Sequence, residues 1–152
     1  DQPALVRGLR VFDFGAGGGV AAIAAMLRGA AHAVACDLDP LAAEAQRINA
    51  ELNGVQIESL TRDPTSRWLT PRADVILAGD VCYERQPSRV ITRWLVDMAA
   101  DSRVVLLADP GRAYAPSEGV ELLATYEVPT TRELESGDVL TTRVWRVVGT
   151  GG

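Results

Sequence analysis

The chain contains no lysine, since all fifteen of its basic residues are arginine. A chain without lysine has no P-loop lysine for nucleotide phosphates, no Schiff-base nucleophile and no lysine general base. Histidine is almost as scarce. The single one, His32, lies just before a predicted strand, at the end opposite the expected active site. No G-x-S-x-G sequence is present, so a hydrolase with a Ser-His-Asp triad is disfavoured.

Cysteine and long apolar runs are scarce as well. The two cysteines, Cys36 and Cys82, form no C-x-x-C sequence. We therefore expect them to be small apolar core residues of a reduced, intracellular protein, and we expect no disulfide and no metal site. No apolar run approaches the roughly 18 residues of a membrane span, and no secretory signal is visible. These absences predict that the protein has no membrane partner.

The charge balance is acidic, with a net charge of −5 at pH 7 and a pI of about 4.9. Proteins that bind nucleic acid through its phosphates are usually basic, so direct binding of DNA or RNA is disfavoured. An acidic surface suits a cationic or protein partner better. Acidic solubility alone is the commoner explanation of such a balance.

One glycine-rich stretch organises the first half of the chain. Residues 11–19 read as a short buried strand followed by a turn with glycine at 15, 17 and 19, and an apolar run continues to Leu27. Glycine lets the backbone turn tightly and lets a ligand approach it closely. A strand, a glycine turn and a helix in this order predict an α/β fold that presents a helix N-terminus to a nucleotide-like ligand.

The remaining pattern alternates strands with helices, which predicts a Rossmann-like, mostly parallel sheet with helices on both faces. We expect one domain over residues 1–148, a flexible tail over 149–152, and an antiparallel last pair of strands joined by a turn at Glu135–Asp138. Ser117 is predicted to cap a short helix that ends at Leu123. The predicted strands are 9–14, 33–36, 55–60, 74–79, 103–108, 125–128 and 139–148, and the other predicted helices are 18–28, 41–52 and 88–100.

Carboxylates lie at or just after the carboxyl ends of five of the predicted strands, at positions 13, 37, 63, 80 and 109. Ligands of open α/β sheets bind at the carboxyl ends of the strands. Asp37 lies 22 residues after Gly15, close to the spacing at which an acid binds a ribose diol, and Leu38 would then lie against a base. Two of the nearby acids have purely structural alternatives to ligand binding. Asp39 can be a helix cap, and Asp63 can stabilise a turn. A dinucleotide site is a further alternative, because the glycine stretch also satisfies G-x-G-x-x-A.

These residues resemble a known family. The stretch Val11–Gly19 is similar to the first motif of class I S-adenosylmethionine-dependent methyltransferases, and Asp37 matches their ribose-binding acid. The resemblance implies a seven-stranded sheet of order 3-2-1-4-5-7-6 with strand 7 antiparallel. It implies S-adenosyl-L-methionine as cofactor and S-adenosyl-L-homocysteine as product. The implied cofactor-binding residues are Asp13, Gly15, Ala16, Gly17, Gly19, Asp37, Leu38, Asp63, Gly79 and Asp80.

A narrower resemblance comes from residues 77–84, which are similar to the D-x-x-Y/F signature of seven-β-strand protein lysine methyltransferases. Residues 109–114 and 124–129 resemble the branch that methylates the beta subunit of electron transfer flavoprotein. Adenine and exocyclic-amine methyltransferases carry N-P-P-Y or D-P-P-Y after strand four, and this chain lacks those prolines, so that chemistry is disfavoured. Two departures from the branch stand out: its Trp- and Gly-rich N-terminal segment is expected to be missing, and Cys82 replaces an aromatic residue.

The resemblance implies a protein-lysine N-methyltransferase, with Asp80 attracting and orienting the substrate amine and Tyr83 shaping an apolar channel. The implied partner is the beta subunit of electron transfer flavoprotein. The implied location is the cytoplasm of a bacterium, or the mitochondrial matrix of a eukaryote. A ribosomal-protein methyltransferase, a small-molecule methyltransferase and a catalytically silent cofactor-binding module remain as alternatives.

Overall fold

The computed structural model describes residues 2–66, 70–101, 103–129 and 139–149. A single 3₁₀ turn, Pro3–Leu5, precedes the first strand. The elements that follow are β1 (Arg10–Phe14), α1 (Val20–Leu27), β2 (His32–Asp37), α2 (Pro40–Leu52), β3 (Glu58–Thr61), β4 (Val75–Gly79), α3 (Arg85–Ala100), β5 (Val104–Asp109), β6 (Val120–Pro129) and β7 (Val139–Val147). No helix in these ranges is long and apolar enough to cross a bilayer.

The strands form a seven-stranded sheet of order β3-β2-β1-β4-β5-β7-β6. The β1/β2, β1/β4 and β2/β3 pairs are parallel. The β5/β7 and β6/β7 pairs are antiparallel. The predicted sheet order and the reversed last strand are therefore confirmed, and β3 lies at one edge of the sheet.

The chain divides into two compact units, Asp1–Gly79 and Asp80–Gly152. In the first unit the core is built on β1 and β4, where Val11, Val75 and Ile76 are almost completely buried. Burying one such side chain stabilises the fold by about 1.5–3 kcal/mol. Ala22 and Ala25 of α1 are also buried, and their small side chains suit close packing of this helix.

Helix α2 has the ends that its sequence predicts. The side chain of Asp39 accepts a hydrogen bond from the N–H of Leu41 at 2.9 Å, and Pro40 is the first helical residue. Proline fits this position because its missing N–H would have no partner inside the helix. At the other end Asn53 is the C-cap, and Gly54 follows with a φ of 64°, as expected of a residue that ends a helix.

Helix α3, in the second unit, begins three residues earlier than predicted, at Arg85 rather than Ser88. Pro87 is the third residue of the helix. It falls within the first helical turn, where an N–H would have no carbonyl partner in any case. Trp94 and Leu95 are the buried apolar residues of the helix, and the fully buried Val105 and Leu107 of β5 belong to the same unit.

The predicted helix from Ser117 to Leu123 is wrong. Gly119 has a φ of 68°, which a continuing right-handed helix cannot contain. Strand β6 begins at the next residue, and Val120 pairs with Val147 in an antiparallel ladder that has a register shift between Leu122 and Ala124. The apolar residues here thus belong to a strand. The predicted turn at 135–138 and positions 150–152 of the predicted tail lie outside the described residues.

Candidate functional site

The turn between β1 and α1 has glycine wherever its backbone enters the left-handed region. Gly15, Gly17 and Gly19 have φ values of 63°, 48° and 79°. A Cβ atom on Gly19 would lie 3.1 Å from Cγ of Gln46 and 3.2 Å from Cδ1 of Ile57, whereas a Cβ on Gly17 would meet nothing within 4 Å. Gly19 is therefore favoured by its φ, and a Cβ there would also crowd two side chains, while Gly17 borders open space into which a ligand can come close.

Asp37, at the end of β2, is joined to this turn. Its Oδ2 accepts a hydrogen bond from the N–H of Gly17 at 2.8 Å, and its Oδ1 accepts one from the N–H of Asp39 at 3.0 Å. An ionised carboxylate has about four acceptor positions, so about two remain for other donors. A pair of hydroxyl groups, such as a ribose diol, fits that remaining capacity.

Asp13 lies beneath the same turn and is 3% exposed. Its Oδ2 accepts a hydrogen bond of 3.0 Å from the N–H of Ala22, one of the first-turn donors of α1 that have no partner in the helix. The N-cap of this helix is Gly19, which has no side chain to do this. Burial raises the pKa of Asp13 to about 7, the Ala22 N–H opposes that shift, and the charge of Asp37 adds to it.

Two amide side chains of α2 hold the carbonyl groups of the turn. Nε2 of Gln46 donates to the carbonyl of Gly17 at 3.0 Å, and Nδ2 of Asn49 donates to the carbonyl of Gly18 at 2.9 Å. Gln46 is 1% exposed, and its Oε1 has no hydrogen-bond partner in the part of the chain that the structure describes. Neither residue is predicted from the sequence to belong to the site. Their only signal was two amides one helical turn apart.

Three other predicted cofactor residues of the first unit, Ala16, Leu38 and Asp63, have ordinary backbone, turn or solvent-exposed positions. The N–H of Ala16 donates to the carbonyl of Cys36 at 3.0 Å, and Leu38 is exposed just after β2. Oδ1 of Asp63 accepts hydrogen bonds from both the N–H and the hydroxyl of Thr65. This is the geometry expected if Asp63 stabilises a turn. Cys36 is a buried free thiol, as expected, and burial raises its pKa to about 11.

The second unit begins with Asp80, which has an unusual backbone. Its φ of 50° makes it the one non-glycine residue with positive φ among those that the structure describes. Such a conformation is uncommon for residues with a Cβ atom, although aspartate adopts it more readily than most, and strained residues cluster at functional sites. The N–H of Asp80 donates to the carbonyl of Ala108 at 2.8 Å, which fixes the residue against the end of β5.

The carboxylate of Asp80 is held by Arg112, which lies in the segment after β5. Nε of Arg112 donates to Oδ1 at 2.7 Å, and Nη2 donates to Oδ2 at 2.7 Å. Two parallel bonds of this kind fix the orientation of both planar groups. The Asp80 side chain is 47% exposed and that of Arg112 33%, so solvent can reach the pair. Asp80 is predicted from the sequence as a site residue, but its pairing with Arg112 is not.

Asp109, the last residue of β5, shapes the loop that carries Arg112. It is completely buried, and its Oδ1 accepts hydrogen bonds of 2.7 Å from the N–H groups of Gly111 and Arg112. Its Oδ2 has no hydrogen-bond partner within the described ranges. A buried carboxylate thus fixes the backbone of Arg112, and the side chain of Arg112 in turn fixes Asp80.

The segment that follows Asp80 contains one buried thiol, one exposed tyrosine and the N-cap of α3. Cys82 is a buried free thiol, as expected. Burial and the nearby carboxylates of Asp109 and Asp80 raise its pKa to about 11. Tyr83 is 64% exposed. Glu84 is the N-cap of α3 but makes no side-chain capping bond. Over 2–66, 70–101, 103–129 and 139–149, no three His, Cys, Asp or Glu residues are grouped to hold a metal ion.

A sequence profile of the family described as ribosomal protein L11 methyltransferase (PrmA) matches residues 3–81, just over half of the chain. The chain is also 36% identical, over 155 residues, to the electron transfer flavoprotein beta subunit lysine methyltransferase of Xenopus laevis. That alignment covers 95% of this chain and 61% of the relative. The chain thus spans about 60% of the length of the flavoprotein methyltransferases it matches.

A second relative matches a shorter part of the chain. The ribosomal protein L11 methyltransferase of Hahella chejuensis is 48% identical over 74 residues, which is 49% of this chain and 25% of that protein. Among solved structures, magnesium protoporphyrin IX methyltransferase from Synechocystis, determined with bound S-adenosylmethionine, matches with a TM-score of 0.65 at 20% identity. The match covers 96% of this chain and 72% of that chain, and it shows a shared fold.

Proposed function

Because the chain belongs to the PrmA family of class I S-adenosylmethionine-dependent methyltransferases, we propose that it transfers a methyl group to a lysine side chain of a protein. The family match covers residues 3–81 and leaves most of the second unit unmatched. The alignment with the Xenopus laevis lysine methyltransferase covers 95% of the chain and so includes the second unit. That wider coverage supports lysine as the acceptor.

The first unit fits the cofactor. Asp37 has carboxylate capacity left for two hydroxyl groups, and Gly17 presents open backbone beside it. Gly15, Ala16, Gly17 and Gly19 form the turn, and Leu38 offers an exposed apolar side chain next to Asp37. In our proposal these residues hold S-adenosylmethionine, Asp13 supports the turn from below, and Asp63 and Gly79 complete the set. S-Adenosylmethionine supplies an electrophilic methyl group there and leaves as S-adenosylhomocysteine.

Asp80 acts on the acceptor amine in this proposal. A lysine side chain in water has a pKa of about 10.4 and is protonated at neutral pH, whereas only the neutral amine is a nucleophile. The carboxylate of Asp80 attracts the ammonium group, accepts a hydrogen bond from it, and orients the amine after its proton has left to water. Tyr83, three residues later and exposed, forms an aromatic wall for the aliphatic part of the lysine.

Arg112 offsets an unfavourable effect of the Asp80 charge on the substrate lysine. A bare carboxylate beside the lysine would favour the protonated, unreactive form, because opposite charges stabilise each other. The guanidinium of Arg112, bonded to both oxygens of Asp80, makes the pair neutral overall and lowers the pKa of a neighbouring lysine relative to Asp80 alone. The pair therefore gives the amine a hydrogen-bond acceptor without the full field of an isolated anion.

The beta subunit of electron transfer flavoprotein is our first candidate substrate, because the relatives with that name align with 95% of the chain at 30–36% identity. Ribosomal protein L11 is the second candidate. The PrmA profile and the Hahella chejuensis relative favour it, but each matches only about half of this chain.

The test is a methyl-transfer assay with S-adenosylmethionine labelled in its methyl group, run on the longest form of the protein that its gene encodes. The two substrates are the flavoprotein beta subunit and ribosomal protein L11 of the same organism. We expect label on a lysine of the beta subunit, mapped by mass spectrometry. Label on L11 alone would favour the second candidate. S-Adenosylhomocysteine without labelled protein would indicate a small-molecule substrate, and no product at all would indicate a silent cofactor-binding module.

A further inference from the structure

Helix α3 carries a row of arginine residues that the proposed chemistry does not use. Arg85, Arg89 and Arg93 follow one another at intervals of four residues, so they lie on one face of the helix. All three side chains are exposed. Within the part of the chain that the structure describes, no ion pair involves any of them.

The arginine row lines one wall of a groove in the second unit. The groove has a volume of about 430 Å³, and its other lining residues are Ser88, Thr92 and Tyr114. Tyr114 is 43% exposed and follows Arg112 by two residues, so the segment whose arginine holds Asp80 also contributes to the groove. A ligand in the groove would therefore contact the segment that also holds Asp80, the proposed catalytic carboxylate.

Helix stability does not explain these arginines. Arg85 is the first helical residue, where the positive end of the helix dipole disfavours a cation, and like charges four residues apart repel each other. The contrast is Arg47 of α2, which pairs with Glu44 and with Glu51 on the same helix. A row of cations without ion-pair partners in a chain of net charge −5 leaves a local positive surface that an acidic ligand would complement.

We propose that this groove docks an acidic segment of the protein substrate and so selects which lysine is methylated. The inference rests on the proposed function, since it names the substrate feature that the same enzyme recognises. Three arginines complement a short run of Asp and Glu residues, and the tyrosine supplies a flat surface for an aliphatic stem. A nucleic acid is a poorer match, because its dense charge is repelled by the rest of this acidic protein.

The first experiment measures binding with a defined probe. A fluorescent twelve-residue peptide with one central lysine flanked by glutamates is titrated with the protein, and its anisotropy is followed at low and high salt. We expect salt-sensitive binding that the double variant Arg89→Gln/Arg93→Gln weakens about tenfold or more. The matched control is Arg7→Gln/Arg28→Gln, which removes the same charge from exposed positions of the first unit that form no ion pair in the described residues, and it should bind as the wild type does.

Two outcomes of that titration would overturn the inference. Peptide binding that does not weaken in the Arg89→Gln/Arg93→Gln variant would show that the groove is not the docking site. Stronger binding of an oligouridylate that competes with the peptide would identify a nucleic-acid ligand instead. Thermal melts of both double variants should show that folding is retained, because all four side chains are exposed.

The second experiment separates this inference from the proposed function. The double variants are assayed on the protein that the wild type methylates, and their binding of S-adenosylmethionine is measured by calorimetry. We expect Arg89→Gln/Arg93→Gln to raise KM about tenfold while kcat and cofactor affinity stay unchanged. An unchanged KM would overturn the docking groove and leave the methyltransferase intact. A wild-type protein that binds the peptide but methylates no protein would overturn the proposed function alone.

Discussion

Arg112 binds the carboxylate of Asp80 through both of its oxygens, with Nε on Oδ1 and Nη2 on Oδ2 at 2.7 Å each. The two residues lie 32 positions apart in the chain. Asp109 fixes the backbone of Arg112, and Ala108 accepts the N–H of Asp80. The end of β5 therefore positions both partners, and the pair is the natural place to test the proposed chemistry.

Replacing Arg112 should change the pH dependence of methyl transfer. Arg112→Ala removes the cation that lowers the pKa of the bound lysine, so the acidic limb of the kcat–pH profile should move to higher pH, and kcat at neutral pH should fall about tenfold or more. Arg112→Lys keeps the charge but not the bidentate geometry, and it should restore the position of the limb with incomplete activity. A profile that does not move in Arg112→Ala would refute this role.

Replacing Asp37 should affect the cofactor rather than the substrate. Asp37→Ala removes the acceptor of the Gly17 N–H together with the proposed acceptor of the ribose hydroxyls, so the dissociation constant for S-adenosylmethionine should rise about tenfold or more. Calorimetry measures this directly. The matched control is Asp39→Asn, because asparagine caps a helix as well as aspartate does. Equal affinity in Asp37→Ala and Asp39→Asn would exclude the ribose role.

Gln46 should position the glycine turn without contributing much to stability. Gln46→Met keeps the volume of the side chain but removes the bond to the Gly17 carbonyl. It also removes an oxygen that is buried without a partner in the described residues. These two effects oppose each other, so the free energy of unfolding should change by about 1 kcal/mol or less. Affinity for S-adenosylmethionine should still fall severalfold. A parallel loss of stability and affinity would indicate a purely structural residue.

Asp13 should make stability depend on pH. Burial raises its pKa from 3.8 to about 7, so the folded protein retains a proton that the unfolded chain loses above about pH 4. Stability should therefore fall as pH rises from about 4 to about 7 and then level off, with a contribution of at most about 1.4 kcal/mol per pH unit.

Asp13→Asn tests this contribution, because asparagine can still accept the Ala22 N–H. Urea unfolding at several pH values should show that the variant gains stability over the wild type as pH rises from about 5 to about 7. A difference between the two proteins that stays constant across that range would show that Asp13 does not titrate as its burial predicts.

Local sequence signals predicted most of the first unit. Asp39 and Pro40 mark the start of α2, and Gly54 marks its end, because caps depend on neighbouring residues alone. The spacing from Gly15 to Asp37 placed an acid close to the glycine turn, and the structure joins Asp37 to Gly17. The apolar start of residues 11–19 predicts a short buried strand, and residues 11–14 of β1 are buried.

Contacts between distant side chains could not be predicted in this way. Nothing near Arg112 in the sequence indicates that its side chain reaches Asp80, because that contact depends on the path of the loop that Asp109 holds. The buried position of Gln46 likewise depends on how α2 packs on the turn. The erroneous helix at 117–123 arose because Ser117 resembles a cap, whereas pairing with β7 decides the conformation of Val120 and the residues after it.

The central claim is that Asp80 takes part in methyl transfer to a lysine, and mass spectrometry of the flavoprotein beta subunit tests it most directly. The subunit is incubated with S-adenosylmethionine and either the wild-type protein or Asp80→Asn. We predict methylated lysine with the wild type, and about a hundredfold less with Asp80→Asn, while calorimetry shows that the variant still binds S-adenosylmethionine. Equal methylation by the two proteins would contradict the account.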